Sequence, residues 1–175
     1  MVRMYTASLL LFMASLAISL PTVRAEGGDN IKVYSVKAGE FIVTKKITKT
    51  AEEWSQALPP DVFHITRQQG TEAAFSGKYW DHKEHGVYKC VACGLDLFLS
   101  KTKYDSGTGW PSFYEPVARE NVGTEVDTKF FMVRTEVHCA RCGSHLGHVF
   151  SDGPKPNGDR YCINSASLTF ERVDK

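Results

Sequence analysis

The sequence lacks the features that define several large classes of protein. None of its hydrophobic runs reaches the roughly 20 apolar residues that a membrane-spanning helix needs, so stable membrane insertion is not expected. Neither sign of charge predominates, since 21 basic side chains face 20 acidic ones, and no basic stripe is present to attract nucleic acid. Low-complexity segments are also missing. With 175 residues, 42% of them hydrophobic, the composition is that of one soluble globular domain, for which we expect a monomer.

The first 25 residues have the pattern of a cleavable signal peptide. Arg3 supplies a basic start, an apolar stretch over residues 7–20 follows, and Val23-Arg24-Ala25 offers small residues at the positions that a signal peptidase reads. We therefore expect export to a periplasm, a secretory pathway or the extracellular space. An organelle transit peptide and an uncleaved interfacial helix are the alternatives. Without residues 1–25 the chain carries 19 basic and 20 acidic groups, so it stays near neutral.

The rest of the chain changes from helical to β patterning. Residues 26–49 form an N-terminal extension, in which loose alternation predicts a short hairpin or an irregular arm, and a domain over residues 50–175 follows. Thr50 and Glu53 match a capping box, which predicts a helix over residues 51–58 and a second helical piece after it, at 61–68. Short β-type runs, separated by turns rich in Gly, Pro and Asp, then recur at residues 86–89, 129–135 and 166–170. This order predicts a mainly β fold of antiparallel sheets preceded by short helices.

Four of the five cysteines form two copies of the pattern C-x-x-C-G-x-x-L. Each copy follows a short apolar run, so each is predicted at the turn of a β-hairpin. Together Cys90, Cys93, Cys139 and Cys142 offer the four-thiolate ligand set of a structural zinc site. Because such coordination is closed, the metal is expected to stabilise the fold rather than to take part in chemistry. Two disulfides, a redox pair and ordinary buried cysteines are the alternatives.

Cys162 is the cysteine left outside this set. On a strand its side chain shares a face with Arg160 and Asn164, because side chains alternate with period two. A neighbouring guanidinium lowers the pKa of a thiol and favours the reactive thiolate, whereas Asn164 adds a hydrogen-bonding group without charge. The alternative is an inert, buried cysteine.

Two further segments carry groups suited to a site. His145, His148 and Asp152 fall within eight residues of one another and can provide proton transfer near neutral pH. They can equally belong to a solvated loop or to a metal site. Trp110 lies in the glycine-rich segment 106–113, where it forms either a lid over the core or an aromatic wall for a small apolar group.

Taken together, these segments resemble the methionine-R-sulfoxide reductases of the B type. Four motifs occur in the family's order: the two C-x-x-C-G pairs, SGTGWPSF at residues 106–113, HLGHVFSDGP at 145–154, and RYCINS at 160–165. The similarity covers about residues 50–172. It implies a β-tent of two antiparallel sheets, with zinc held by the four paired cysteines away from the active site. It also implies repair of oxidised proteins by reduction of their methionine-R-sulfoxide.

The resemblance also implies a role for each candidate residue. Cys162 matches the family's nucleophile, and His148 is the expected proton donor to the departing oxygen. The other matching positions are His145, Asn164 and Arg160 as polar active-site groups, Trp110 and Phe150 as the pocket for the substrate's methyl group, and Asp152 near the site.

One position departs from the pattern. Many members carry a resolving cysteine immediately before the Gly-Trp-Pro of the turn, and here that position is Thr108. We therefore expect the sulfenic acid of Cys162 to be reduced by thioredoxin or another external thiol. Two functions of other classes stay open: a zinc-ribbon binding module without catalysis, and a cysteine hydrolase that uses Cys162 with His148.

Overall fold

The computed structural model of the chain describes residue 1, residues 29–129 and residues 132–173, so the predicted leader lies outside the described residues except for Met1. The described part contains two α-helices and eleven β-strands. The helices are α1 (Ala51–Ala57) and α2 (Pro60–Gln68). The strands are β1 (Asn30–Ser35), β2 (Glu40–Lys45), β3 (Gly86–Cys90), β4 (Asp96–Leu99), β5 (Lys103–Tyr104), β6 (Ser112–Phe113), β7 (Val122–Asp127), β8 (Arg134–Cys139), β9 (His145–Phe150), β10 (Arg160–Ile163) and β11 (Leu168–Arg172).

Both predicted helices are confirmed. The Thr50 hydroxyl accepts a hydrogen bond from the Glu53 backbone N–H at 3.2 Å, and the Glu53 carboxylate accepts one from the Thr50 N–H at 2.7 Å. This reciprocal capping box satisfies two N–H groups that a helix start otherwise leaves unpaired. The second helix begins with Pro60 in its first turn, where the missing N–H of proline costs nothing.

The strands form three antiparallel sheets, which confirms the predicted mainly β fold. The main sheet has six strands in the order β5-β6-β10-β9-β8-β7, a second has three in the order β11-β3-β4, and the predicted hairpin β1-β2 makes the third. Aromatic side chains join the first two sheets. Tyr88 and Phe98 of the three-stranded sheet contact Phe113 of the six-stranded one, with the Phe98 and Phe113 rings stacked at 4.4 Å. All three rings are fully buried, so the core lies between these sheets.

The N-terminal hairpin packs onto the same core. Val33 is 1% exposed and belongs to the central hydrophobic cluster. The buried side-chain amide of Asn121 pairs with both backbone groups of Tyr34, accepting from its N–H at 2.7 Å and donating to its carbonyl at 2.9 Å. Residues of the extension thus contribute to the interior.

The strand predicted over residues 129–135 is only partly confirmed: Arg134 and Thr135 belong to β8, whereas Lys129, Met132 and Val133 lie outside strands. The side chain of Asp127 accepts a hydrogen bond from the Lys129 backbone N–H at 3.0 Å, which turns the chain at the end of β7. Phe130 and Phe131, which made this run look like a strand, lie outside the described residues.

Candidate active site and metal centre

A row of paired residues crosses the six-stranded sheet through Cys162. Cys162 on β10 lies opposite His148 on β9 and opposite Ser112 on β6, and Ser112 in turn lies opposite Tyr104 on β5. Directly opposed residues of antiparallel strands project from the same face of a sheet. The pairing therefore places an imidazole and a phenol on the face that carries the Cys162 thiol.

The thiol of Cys162 experiences opposing effects. Burial raises its pKa above the ordinary value, while the charge of Arg160 and hydrogen bonding from Thr108 and Arg160 lower it. Burial predominates, so the net direction is upward. The sequence-based expectation of a lowered pKa is wrong for the substrate-free protein, although the predicted guanidinium does lie beside the sulfur.

His148 is held by a carboxylate that the sequence did not reveal. Its Nε2 lies 2.9 Å from Asp127 Oδ2, which also accepts a hydrogen bond from Arg134 Nη2 at 2.6 Å. The Lys129 backbone N–H, together with His148 and Arg134, holds the pKa of Asp127 well below its usual range. Asp127 is therefore an anion at neutral pH, and it fixes the ring so that Nδ1 is the nitrogen left for chemistry.

His145 has a similar partner but a different environment. Its Nδ1 lies 2.7 Å from Glu136 Oε1, and both side chains are buried. Burial lowers the pKa of His145 despite the opposing charge of Glu136, so the ring is neutral near pH 7. Its Nε2 is buried and has no hydrogen-bond partner among the described residues. This leaves a lone polar group beside His148, whose ring centroid is 5.5 Å away.

Arg160 connects the sulfur to the rim of the site. Its guanidinium makes two hydrogen bonds to the carboxylate of Asp152, at 2.8 and 2.9 Å, and lies 4.5 Å from the centre of the Phe150 ring. Phe150 lies opposite Arg160 in the sheet, two pairs along from that of Cys162 and therefore on the same face. The two carboxylate bonds fix the plane of the guanidinium over the ring.

Glu72 hydrogen-bonds to the two remaining predicted residues, Asn164 and Trp110. The buried Asn164 lies just beyond β10, and its amide accepts from the Glu72 N–H and donates to the Leu146 carbonyl, both at 3.1 Å. The half-buried Trp110 donates its indole N–H to the Glu72 carbonyl at 3.1 Å. The Glu72 carboxylate accepts from the backbone N–H groups of Ser165 and Ala166. Asn164 thus fixes the backbone at Glu72, and Glu72 in turn holds Trp110 at the edge of the site.

Three groups of this site escaped the sequence reasoning. Asp127 and Glu136 were unremarkable polar residues in alternating strands, and Glu72 lies in a loop without any pattern. Their partners are 21, 9 and 92 residues away in the chain. Only the strand register and the packing of the loop bring them to the site.

The four paired cysteines form a compact cluster, in which Cys93 is half-buried and the other three are buried. Their sulfurs all lie within 4.8 Å of one another, with Cys90 and Cys142 at 3.6 Å and Cys93 and Cys139 at 3.5 Å. A disulfide requires about 2.05 Å, so the thiols are free. Sulfur atoms around a tetrahedral zinc ion are separated by about 3.8 Å, as follows from Zn–S bonds of about 2.3 Å. Thiolates as close together as these repel one another, and a divalent cation relieves that repulsion. The residues therefore fit a four-thiolate metal.

Both C-x-x-C pairs occur at hairpin turns, as predicted. Gly94 and Gly143 have φ of +73° and +67° and donate to the carbonyls of Cys90 and Cys139, each at 2.8 Å. Glycine adopts this left-handed conformation without the steric penalty of a side chain. One turn joins β3 to β4 and the other joins β8 to β9. The cluster thus links the three-stranded sheet to the six-stranded one.

A family model for the SelR domain matches residues 58–172. The chain belongs to the SelR domain family. The matched range contains every candidate residue of the site and all four paired cysteines, whereas β1, β2 and α1 precede it.

Curated relatives extend this finding over most of the chain. It is 57% identical over 131 residues to the peptide methionine sulfoxide reductase MsrB of Methanosarcina barkeri, covering 75% of this chain and 92% of that protein. The identity to the protein of the same name in Thiobacillus denitrificans is 58% over 126 residues, covering 72% and 96%. The chain is 54% identical over 129 residues to the protein of the same name in Hahella chejuensis, covering 74% of this chain and 93% of that protein. Within the described part of this SelR protein, no helix has the length and hydrophobicity needed to cross a bilayer.

Proposed function

We propose that the protein is a peptide-methionine (R)-S-oxide reductase, an oxidoreductase that returns the R-sulfoxide of methionine to methionine. The observation that carries the proposal is the row in which the Cys162 thiol lies opposite His148, whose ring is held by the anion of Asp127. A thiol and an oriented imidazole are the two groups that sulfoxide reduction requires. Membership of the SelR family and relatives named peptide methionine sulfoxide reductase support the same activity.

The proposed reaction transfers one oxygen atom from substrate to enzyme. The Cys162 thiolate attacks the sulfoxide sulfur, and the sulfoxide oxygen takes up a proton. The attack forms a bond between the Cys162 sulfur and the methionine sulfur. The protonated oxygen then passes to the Cys162 sulfur: the S–O bond of the substrate and the new S–S bond break, methionine leaves with a lone pair on its sulfur, and Cys162 becomes a sulfenic acid. The substrate sulfur is reduced by two electrons and the cysteine sulfur is oxidised by two.

The two histidines take different parts in this step. In its imidazolium form His148 carries a proton on each ring nitrogen: Nε2–H stays on Asp127, and Nδ1–H is available to the sulfoxide oxygen. His145 is neutral and donates its Nδ1–H to Glu136, so its unpartnered Nε2 is a hydrogen-bond acceptor. His145 therefore suits the orientation of a thiol, a water molecule or a bound substrate.

The other candidate residues shape the pocket. The exposed edges of Trp110 and Phe150 are suited to the methyl group of the substrate. Arg160, fixed by Asp152, is suited to stabilising the thiolate when substrate enters. Asn164 holds the backbone at Glu72, whose carbonyl accepts the indole N–H of Trp110, and is a positioning residue.

Regeneration requires a reductant from outside the chain. Thr108 takes the position at which many family members carry a resolving cysteine, and the four other cysteines form the metal cluster. The sulfenic acid then reacts with two thiols, either those of thioredoxin or those of another donor. The products are the Cys162 thiol, a disulfide and water.

The metal proposed for the cysteine cluster is one structural zinc ion per chain. Cys90, Cys93, Cys139 and Cys142 would hold it, and its chemistry is to neutralise four thiolates and so hold two hairpin turns together. Four protein ligands leave no open coordination position, so no step of the reaction involves the ion.

We further propose that the domain acts after export, on oxidised proteins. The signal-peptide pattern over residues 1–25 supports removal of the leader, with residues 26–49 as an extension ahead of a catalytic domain over 50–175. Amino-terminal sequencing of the mature protein from its natural source tests the cleavage after Ala25, and a retained Met1 contradicts it.

The activity is tested with purified residues 26–175, a racemic N-blocked methionine sulfoxide and dithiothreitol, each diastereomer being followed by chiral chromatography. We expect only the R form to disappear, and Cys162→Ser to abolish its loss. The matched control is Ser151→Ala, an exposed position that follows β9. Consumption of the S form, or equal activity of Cys162→Ser, would contradict the proposal. Inactivity of the zinc-loaded chain would favour a binding module instead.

A further inference from the structure

Two large aromatic side chains are exposed beside the candidate active site. Phe75 is 57% exposed and Trp80 is 38% exposed, and their rings form an edge-to-face pair with centroids 5.4 Å apart. Together we call Phe75 and Trp80 the aromatic ledge. None of the chemistry derived above uses either ring. Burial does not explain the ledge, because more than half of the Phe75 surface faces solvent.

The backbone at Phe75 has an unusual conformation. Its φ is +64°, in the left-handed region that bulky residues rarely occupy. The Phe75 N–H donates to the Gly109 carbonyl at 2.8 Å, a contact that holds the residue in this state. Strained residues of this kind cluster at sites that clamp ligands. Here the strain directs a ring into solvent next to the site rather than into the core.

The ledge is continuous with the site through Gly109. A Cβ at Gly109 would lie 2.8 Å from the Phe75 ring, so the ring rests directly on this glycine. On one side of Gly109 is Thr108, whose hydroxyl helps to lower the pKa of the Cys162 thiol, and on the other is Trp110. Trp80 contacts the edge of the six-stranded sheet, because its carbonyl accepts a hydrogen bond at 2.9 Å from Nζ of Lys103 on the edge strand β5. A chain leaving the methionine pocket over Gly109 meets the ledge.

We propose that the aromatic ledge binds an apolar side chain next to the oxidised methionine in a polypeptide substrate. This inference rests on the proposed reductase function and adds the sequence context that the enzyme prefers. The two rings of the ledge offer a large apolar surface on which an aliphatic or aromatic side chain can pack. Free methionine sulfoxide has no flanking residue and does not reach it.

The test compares two pentapeptides with methionine-R-sulfoxide at the centre, one with leucine and one with glycine on both sides. The unsubstituted chain is expected to have a kcat/KM about fivefold higher for the leucine peptide, mainly through KM, which is the usual size of one aromatic contact. In Phe75→Ala this preference is expected to fall to about unity. Trp80→Ala, whose backbone is not in the left-handed region, is expected to reduce it as well.

Phe41→Ala is the matched control. Phe41 is 40% exposed and pairs edge-to-face with Tyr34 at 5.4 Å, but it lies on the N-terminal hairpin. Its loss should leave the preference for leucine intact. An unchanged preference in Phe75→Ala and Trp80→Ala, or an equal loss of kcat/KM on both peptides, would overturn the ledge while the reductase function stands. Failure of the unsubstituted chain to reduce either peptide would overturn the function and the ledge with it.

Discussion

At the scale of single residues, Cys162 reacts only as the thiolate, and its surroundings act in opposite directions. Burial raises its pKa, and Arg160 partly offsets the effect. A raised pKa means that little thiolate exists at neutral pH before substrate binds. We predict that alkylation of Cys162 by iodoacetamide accelerates with pH well above neutrality. Arg160→Gln should move the profile to still higher pH, because the group that favours the anion is gone.

Mass spectrometry of the Cys162 peptide measures this profile. The control is Arg172→Gln, since Arg172 is exposed and pairs with Glu84 at the end of β11. A rate that is already constant at pH 7, or an Arg160→Gln profile that coincides with the control, would show that burial does not govern the thiol.

The second prediction at this scale concerns His148. If its Nδ1–H protonates the departing oxygen, His148→Gln should lower kcat by about 10²- to 10⁴-fold at pH 7, with a much smaller change in KM. Asp127→Asn should lower kcat less, because it removes only the group that orients the ring. His64→Gln is the control, since His64 is exposed on α2. Equal kcat values for His148→Gln and His64→Gln would exclude the role.

The limits of sequence-based prediction are clear at this scale. Cys162 and His148 could be singled out because their side chains have distinctive chemistry. Asp127 and Glu136 could not, because a carboxylate in an alternating strand is ordinarily a solvated group. The pairing of β7, β8 and β9 brings both carboxylates next to histidines. No local sequence pattern specifies this register between strands that are distant in the chain.

At the scale of secondary structure, the two strands of the N-terminal hairpin allow a direct test of whether the hairpin packs against the core. Val33 of β1 is 1% exposed, whereas Val43 of β2 is 71% exposed. We predict that Val33→Ala lowers the free energy of unfolding by about 2 kcal/mol, through lost burial and a residual cavity. Val43→Ala should change it by less than about 0.5 kcal/mol. Denaturant unfolding measures both, and equal values would mean that the hairpin does not belong to the core.

The elements with strong local signals were predicted correctly. The capping box at Thr50, the glycine after each C-x-x-C and the alternation around Cys162 each specify backbone geometry over a few residues. The strand over residues 129–135 was predicted correctly only at Arg134 and Thr135, because the Asp127 side chain caps a turn at Lys129, where hydrophobicity alone favours an extended chain. The docking of the hairpin was also missed, since it depends on the distant Asn121.

At the scale of the whole molecule, the cysteine cluster joins the two larger sheets, and β9 runs from it to the active site. We predict one zinc ion per chain by elemental analysis, and its loss in Cys90→Ser. That variant should also lose several kcal/mol of unfolding free energy, because binding of a structural zinc is coupled to folding. Cys162→Ser is the matched control and should retain the metal. A zinc-free chain of unchanged stability would contradict the structural role.

The central claim is that Cys162 takes the oxygen of the sulfoxide and has no partner within the chain. It is tested most directly by a single turnover with methionine-R-sulfoxide peptide and no reductant, followed by trapping with dimedone. We predict one methionine per chain and a dimedone adduct on Cys162 alone. In Thr108→Cys, a second thiol beside Cys162 should replace this adduct with a disulfide between residues 108 and 162. A disulfide that involves Cys162 in the unsubstituted chain, or methionine formed without modification of Cys162, would contradict the account.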